Sequence, residues 1–166
     1  MKKIVLALVI ALSFIGCSSK SDENVVVVPK IVVGHELTNM QLNDQFENKH
    51  ALNAQTTKLV FAFSKDAAHI CNDFFATQEA SYLSDNNAQF VADVSSAPSL
   101  IRSMFIMPGL KDFKHTVLVL DDKSVAAEYR SGVDVEKIII VYVDNGTITE
   151  IKTLSSEKEL KEVLEN

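Results

Sequence analysis

Residues 137–164 read KIIIVYVDNGTITEIKTLSSEKELKEVL, and this stretch decides the fold class. Ile138 to Val143 is a continuous apolar run, Asp144-Asn145-Gly146-Thr147 breaks it, and Ile148 to Leu154 resumes it. Asn-Gly between two such runs is the strongest short signal for a β-hairpin, because the favoured two-residue turn needs positive φ at both central residues. Ser156 stands three residues before Glu159, the spacing of a capping box. Leu160, Val163 and Leu164 then give the closing helix one apolar face. The chain therefore ends in a hairpin and a helix.

Upstream, Leu59-Val60-Phe61-Ala62-Phe63 is an unbroken apolar run, the pattern of a central strand covered on both faces. Ser64 and Asp66 can cap the helix that follows. In that helix Ala67, Ile70, Cys71, Phe74, Phe75 and Gln78 fall at helical spacing. Asp85-Asn86-Asn87 marks a turn before a second strand, Phe90 to Val94. Ser95 or Ser96 is expected to cap a second helix, with Pro98 early in its first turn, where a missing N–H does no harm. Leu100, Ile101, Met104 and Phe105 are expected to form its inner face, and Met107-Pro108-Gly109 to stop it. Thr116 to Leu120 is a third apolar strand, and Asp121-Asp122-Lys123 turns the chain back into further strand material, Val125 to Tyr129. Near the start, Val25 to Val28 and Ile31 to Val33 are β-rich, with Pro29 limiting them to an edge or a loop. Met40, Leu42 and Phe46 predict a short strand with a turn around Asn43-Asp44.

Strand, helix, strand, helix, strand, hairpin and terminal helix make an α/β pattern. From about Lys58 onward the chain resembles the thioredoxin-like fold, most closely in Lys58–Phe75 and Lys137–Leu164. Leu37–Leu52 resembles the N-terminal extension of its peroxiredoxin-like and envelope branches. The resemblance implies a three-layer sandwich around a mixed central sheet, with an N-terminal β extension and a C-terminal hairpin plus helix. The strand material at 116–130 has no place in the smallest version of that fold.

The resemblance also says where chemistry should stand. In thioredoxins a Cys-x-x-Cys opens the helix after the central strand, and the matching residues are Ala68-His69-Ile70-Cys71. Ala68 occupies the place of the attacking cysteine. Dithiol exchange needs a nucleophile and a resolving partner, so the chain does not run that cycle alone. Neither Lys114-His115 before Thr116 nor Glu136 before Lys137 supplies the family's proline before a late strand. Peroxiredoxins place Thr three residues ahead of their reactive cysteine, and that residue is Ala68. Cys71 is then either a buried core residue or a single reactive thiol, and its place on the stripe with Ile70, Phe74 and Phe75 favours burial, which raises a thiol pKa.

Other polar residues carry weaker signals. His69 and Cys71, two apart on a helix, point to different faces. His35, His50 and His115 lack ligand spacing, so no metal is expected. Lys65, Asp66 and Asp93 lie near the carboxyl ends of parallel strands, where open α/β sheets bind ligands. They are the first candidates for a contact site, against the alternative of capping and turn chemistry. Asp121-Asp122 reads as a solvated turn. The glycines are too scattered to cradle a phosphate, and no cofactor is expected.

The first residues address the protein. Lys2 and Lys3 precede an apolar run from Ile4 to Ile15, which is too short for a span of about 20 residues and fits a secretion signal. The ending Phe14-Ile15-Gly16-Cys17 resembles the lipobox of bacterial lipoproteins, with Phe14 where that family prefers Leu. The resemblance implies cleavage before Cys17 and acylation of its thiol. Stable anchoring follows once more than one chain is attached. Ser18 in the next position resembles the pattern sent to the outer membrane.

The expected organisation is therefore a leader at 1–16, a lipidated cysteine with a flexible tether at 17–30, and one domain at 31–166. The net charge is −6, and removal of Lys2 and Lys3 with the leader leaves 14 basic against 22 acidic side chains, or −8. That balance disfavours nucleic acid and anionic lipid as partners. With Cys17 acylated, Cys71 is the only remaining thiol of two, and an internal disulfide is excluded. These readings point to a redox-inactive domain anchored through Cys17 on the periplasmic face of the outer membrane, binding an envelope protein or a small molecule. The competing expectation is a one-cysteine oxidoreductase or peroxidase-like enzyme that uses Cys71 with a separate thiol partner. Cys17→Ala is predicted to move the protein from the membrane fraction to the soluble fraction on cell fractionation; retention in the membrane would refute acylation as the anchor.

Overall fold

The computed structural model describes residues 26–166. The expected leader and Cys17 lie outside the described residues. In chain order the elements are β1 (Gln41–Asp44), β2 (Lys49–Ala51), β3 (Lys58–Ala62), α1 (Lys65–Ala76), α2 (Tyr82–Asp85), β4 (Ala88–Asp93) and α3 (Ser99–Ile101). A π-helical turn (Arg102–Ile106), α4 (Met107–Lys111), β5 (Leu118–Leu120), α5 (Lys123–Arg130), β6 (Ile138–Asp144), β7 (Thr147–Leu154) and α6 (Glu157–Glu165) complete the order. Among the described residues no helix is long and apolar enough to cross a membrane.

The strands form one mixed sheet in the order β2-β1-β5-β4-β3-β6-β7. β3, β4 and β5 run parallel, while β6 pairs antiparallel with β3 and β7 with β6. The period-2 alternation of strand side chains feeds two cores. Val60 and Ala62 face one side with Phe90, Ala92, Ile138 and Ile140, where α1, α4 and α6 cover them. Leu59, Phe61 and Phe63 face the other with Val91, Ile139 and Val141, beneath α5 and the segment from Ile31 to Met40. The architecture is the three-layer α/β sandwich expected from the sequence, with β1–β2 as its N-terminal extension.

The C-terminal signals act locally. Asn145 and Gly146 take φ of 49° and 82°. A Cβ on Gly146 would stand 2.6 Å from the Thr38 methyl, so both the turn and the close neighbour demand glycine. Ser156 Oγ accepts from Glu159 N, and the Glu159 carboxylate accepts from Ser155 N and Ser156 Oγ, completing the capping box.

Several segments depart from the sequence expectation. Val125 to Tyr129 is helical. Asp122 accepts hydrogen bonds from the amides of Ser124 and Val125, a cap that starts α5, and the i, i+3 pair Ala126 and Tyr129 is buried. Leu100, Ile101, Met104 and Phe105 are exposed, and Ile106, Met107 and Leu110 make the inward contacts instead. Met107-Pro108-Gly109 does not end the helix. The π-helical turn bonds Met107 N to Arg102 O, and Pro108 falls in the first turn of α4, where its missing N–H breaks no ladder. Neither Ser95 nor Ser96 caps this helix; Pro98 stands at its cap position without a side-chain bond.

Buried polar side chains tie β1 and α1 to the chain leading into β5. Gln45 donates to the His115 carbonyl at 2.8 Å and accepts from Val117 N at 2.8 Å. His115, 2% exposed, donates from Nε2 to Asn72 Oδ1 at 3.0 Å. Its Nδ1 has no partner among the described residues, and Phe75, Phe90 and Phe113 crowd the ring. Burial, with the nearby Lys114 charge, pushes the imidazole pKa down from 6.5 to about 4. Between these values the unfolded chain takes up a proton that the folded chain refuses, so stability is intact above pH 6.5 and falls as the pH drops toward 4. The loss amounts to about 3 kcal/mol. Asp44 titrates lower: burial opposes its charge, yet bonds from His50 and Asn48 hold it below the ordinary carboxylate range. Urea denaturation from pH 7 down to pH 4.5 is predicted to show this fall. His115→Phe, less stable at pH 7, is predicted to flatten it; an unchanged slope in the variant would assign the effect elsewhere.

Candidate functional site

The site expected by resemblance lies where β3 hands over to α1. Ser64 Oγ accepts from Ala67 N at 3.3 Å and opens the helix. Lys65, Asp66 and His69 are exposed on its first turns, and Ala68 is half-buried. Lys65 and Asp66 make no side-chain hydrogen bond or ion pair with the described residues, which leaves both free to meet a ligand or solvent.

Cys71 is the seventh residue of α1 and is 0% exposed. It packs in the core with Ala67, Phe74 and Phe75. Burial pushes its thiol far above the ordinary range, because a thiolate there would lose its hydration with no cation to replace it. The helix dipole gives no relief, since its effect is confined to the first turn. Nucleophilic attack, thiol exchange and metal ligation all require the thiolate. Among the described residues no three His, Cys, Asp or Glu side chains gather as metal ligands.

Asp93 sits at the carboxyl end of β4 with its side chain 1% exposed. Arg130 Nε meets its Oδ2 at 2.5 Å, Ser95 N donates to its Oδ1 at 2.8 Å, and Arg130 Nη2 donates to Ser95 Oγ. Each of its oxygens accepts one of these bonds, so Asp93 ties β4 to the end of α5, while Lys65 and Asp66 stay on the surface. Arg130 escaped the sequence reading because residues 125–129 looked like a strand. A helix there, signalled by the Asp122 cap, would have placed Arg130 in the last turn.

A concavity of about 210 Å³ opens at the other end of the sheet. His50, Asn53, Thr56, Ser84, Asn87 and Thr116 lie in its wall, between the β1–β2 extension, α2 and the start of β4. Amides and hydroxyls dominate, and the ionisable side chain in the wall, His50, pairs through Nε2 with the Asp44 carboxylate at 2.8 Å. Its volume and polar wall suit a small polar molecule.

No protein-family model matches the chain, and no curated protein matches its sequence. Solved structures do match its shape. One is the exposed lipoprotein thioredoxin of Streptococcus pneumoniae, 12% identical over 76% of this chain and 97% of that one, with a TM-score of 0.52. Another is a candidate protein disulfide isomerase from Bacteroides thetaiotaomicron, 10% identical over 81% of this chain and 87% of that one, with a TM-score of 0.50. At these identities the likeness is one of fold, and it agrees with the sheet order and the two cores: this chain carries a thioredoxin-like domain.

Proposed function

We propose that this protein is an envelope lipoprotein, anchored through Cys17 on the periplasmic face of the outer membrane, whose thioredoxin-like domain binds a protein or small molecule without redox chemistry. The observation that carries the reading is the pair Ala68 and Cys71. The place of a thioredoxin's attacking sulfur holds a methyl group, and the sulfur that remains is wholly buried among Ala67, Phe74 and Phe75. A scaffold that needed its thiol would leave it a path to solvent and a neighbouring cation.

The exposed first turn of α1, with Lys65 and Asp66, is the polar part of the proposed binding face. Partners with a strongly negative surface, nucleic acid included, are disfavoured by the charge of −8 on the chain after Cys17 becomes its first residue.

The one-cysteine oxidoreductase makes the opposite demand, an accessible thiolate at neutral pH. The acylated protein, in which Cys71 is the only thiol, separates the two. The folded protein is predicted not to react with an aromatic disulfide reagent at pH 7.5, to release one thiol equivalent once guanidinium unfolds it, and not to accelerate insulin reduction by dithiothreitol. Reaction of one equivalent in the folded state, or turnover lost in Cys71→Ala, would transfer the protein to the enzyme class.

A further inference from the structure

The chain from Ser99 to Phe105 turns its large apolar side chains outward. Leu100 is 64% exposed, Ile101 44%, Met104 58% and Phe105 65%. These positions recur at i, i+1, i+4 and i+5, so they share one helical face, while Ile106, Met107 and Leu110 on the other face pack against the core. A shallow groove lined by Ser99, Leu100, Arg102, Ser103 and Met107 runs beside them. A contiguous exposed apolar patch on a small domain marks a surface meant to be covered.

Its position points to the cover. Arg102 donates to the Asp121 carbonyl at 3.0 Å, which holds the patch at the carboxyl end of β5. The segment from Cys17 joins the domain at the same end. Lys30 donates its backbone N–H to Glu128 O, and its ammonium meets the Glu128 carboxylate at 2.8 Å. Two residues further along α5, Arg130 grips Asp93 at the carboxyl end of β4. The root of the tether and the patch therefore lie at one end of the sheet. Thirteen residues lead from Cys17 to Lys30, a reach of about 45 Å at most. An acylated Cys17 keeps that end of the domain beside the bilayer at high effective concentration, so even a weak apolar contact is populated.

We propose that Leu100, Ile101, Met104 and Phe105 form a membrane-docking face that seats the domain on the bilayer to which Cys17 anchors it. The inference rests on the lipid anchor of the preceding section. Interfacial helices sink their apolar side about 5–10 Å into the headgroup and acyl boundary, a depth these four side chains reach without unfolding any strand. Since the chain is acidic, the contact is apolar and does not need anionic lipid. Docking would fix the orientation of the domain and present the β1–β2 extension and the polar concavity to the periplasm.

The chain has no tryptophan, so Phe105→Trp supplies a single reporter. The acylated full-length protein carrying it is reconstituted into phosphatidylcholine vesicles with brominated acyl chains. The comparison is Phe46→Trp, 53% exposed in the β1–β2 turn. That turn follows Asp44, which pairs with Leu118 at the amino end of β5, and so lies at the far end of the sheet. The expected result is about twofold or stronger bromine quenching of Phe105→Trp, as for an indole at the acyl boundary, with none for Phe46→Trp. Adding Leu100→Glu and Met104→Glu should abolish the quenching and leave the unfolding midpoint in place. Absence of quenching in protein that still floats with the vesicles overturns the docking and leaves the anchor standing. Protein that does not float and shows an unacylated N-terminus by mass spectrometry overturns both. An emission shift of Phe105→Trp that follows protein concentration rather than bromine assigns the face to a second copy of the chain and overturns the membrane as its cover.

Discussion

Burial of β3 on both faces is the constraint from which the rest of the structure follows. Leu59, Val60 and Phe61 are each 0% exposed, although adjacent side chains on a strand point to opposite sides. Both sides must then be covered, and each large aliphatic or aromatic side chain removed from water contributes about 1.5–3 kcal/mol. The parallel neighbour β4 requires a crossover through α1 and α2. The antiparallel neighbour β6 admits the tight Asn-Gly hairpin into β7, which in turn delivers α6 to the first core. A polar residue at Phe61 would damage the second core while leaving the local strand pairing possible.

The same covering explains why Cys71 is buried. α1 lies on the first core through Ala67, Cys71, Phe74 and Phe75, and the second position of a thioredoxin motif has become part of that contact. A sulfur that fills space between phenylalanines behaves as a small apolar group. At the carboxyl end of β4, Asp93, Ser95 and Arg130 are bonded to one another. The first turn of α1, the apolar side chains at 100–105 and the polar concavity at the opposite end remain exposed.

The strands from β3 to β7 were legible because their signals are local and strong, whereas Asn43 and Asp44, expected to turn, end β1, and β2 gave no signal. The run at 59–63, the Asn-Gly turn and the Ser156–Glu159 box each specify one conformation with few competitors. Residues 125–129 misled because Val, Ala and Tyr fit a strand or a helix equally over five positions, and only the Asp122 cap, three residues upstream, decides. The face of the helix around 100–105 misled for a different reason. Its apolar residues have helical spacing, but spacing identifies a face without saying whether protein covers it. The buried trio Gln45, Asn72 and His115 was invisible, since its members lie 27 to 70 residues apart in the sequence and meet only in the fold. Among the candidate contacts, Lys65 and Asp66 stand exposed. Asp93 shares that location, yet its partner Arg130 sits on an element the sequence did not reveal.

The claim that the domain binds without thiol chemistry stands on the protonation state of one sulfur. The ¹³Cβ chemical shift of Cys71, followed by NMR from about pH 6 to pH 10, spans the ordinary thiol pKa of about 8.5 and reads that state directly in the folded protein. The account predicts a reduced-cysteine shift that stays constant across the range. A shift that titrates near neutrality would show an available thiolate and contradict it.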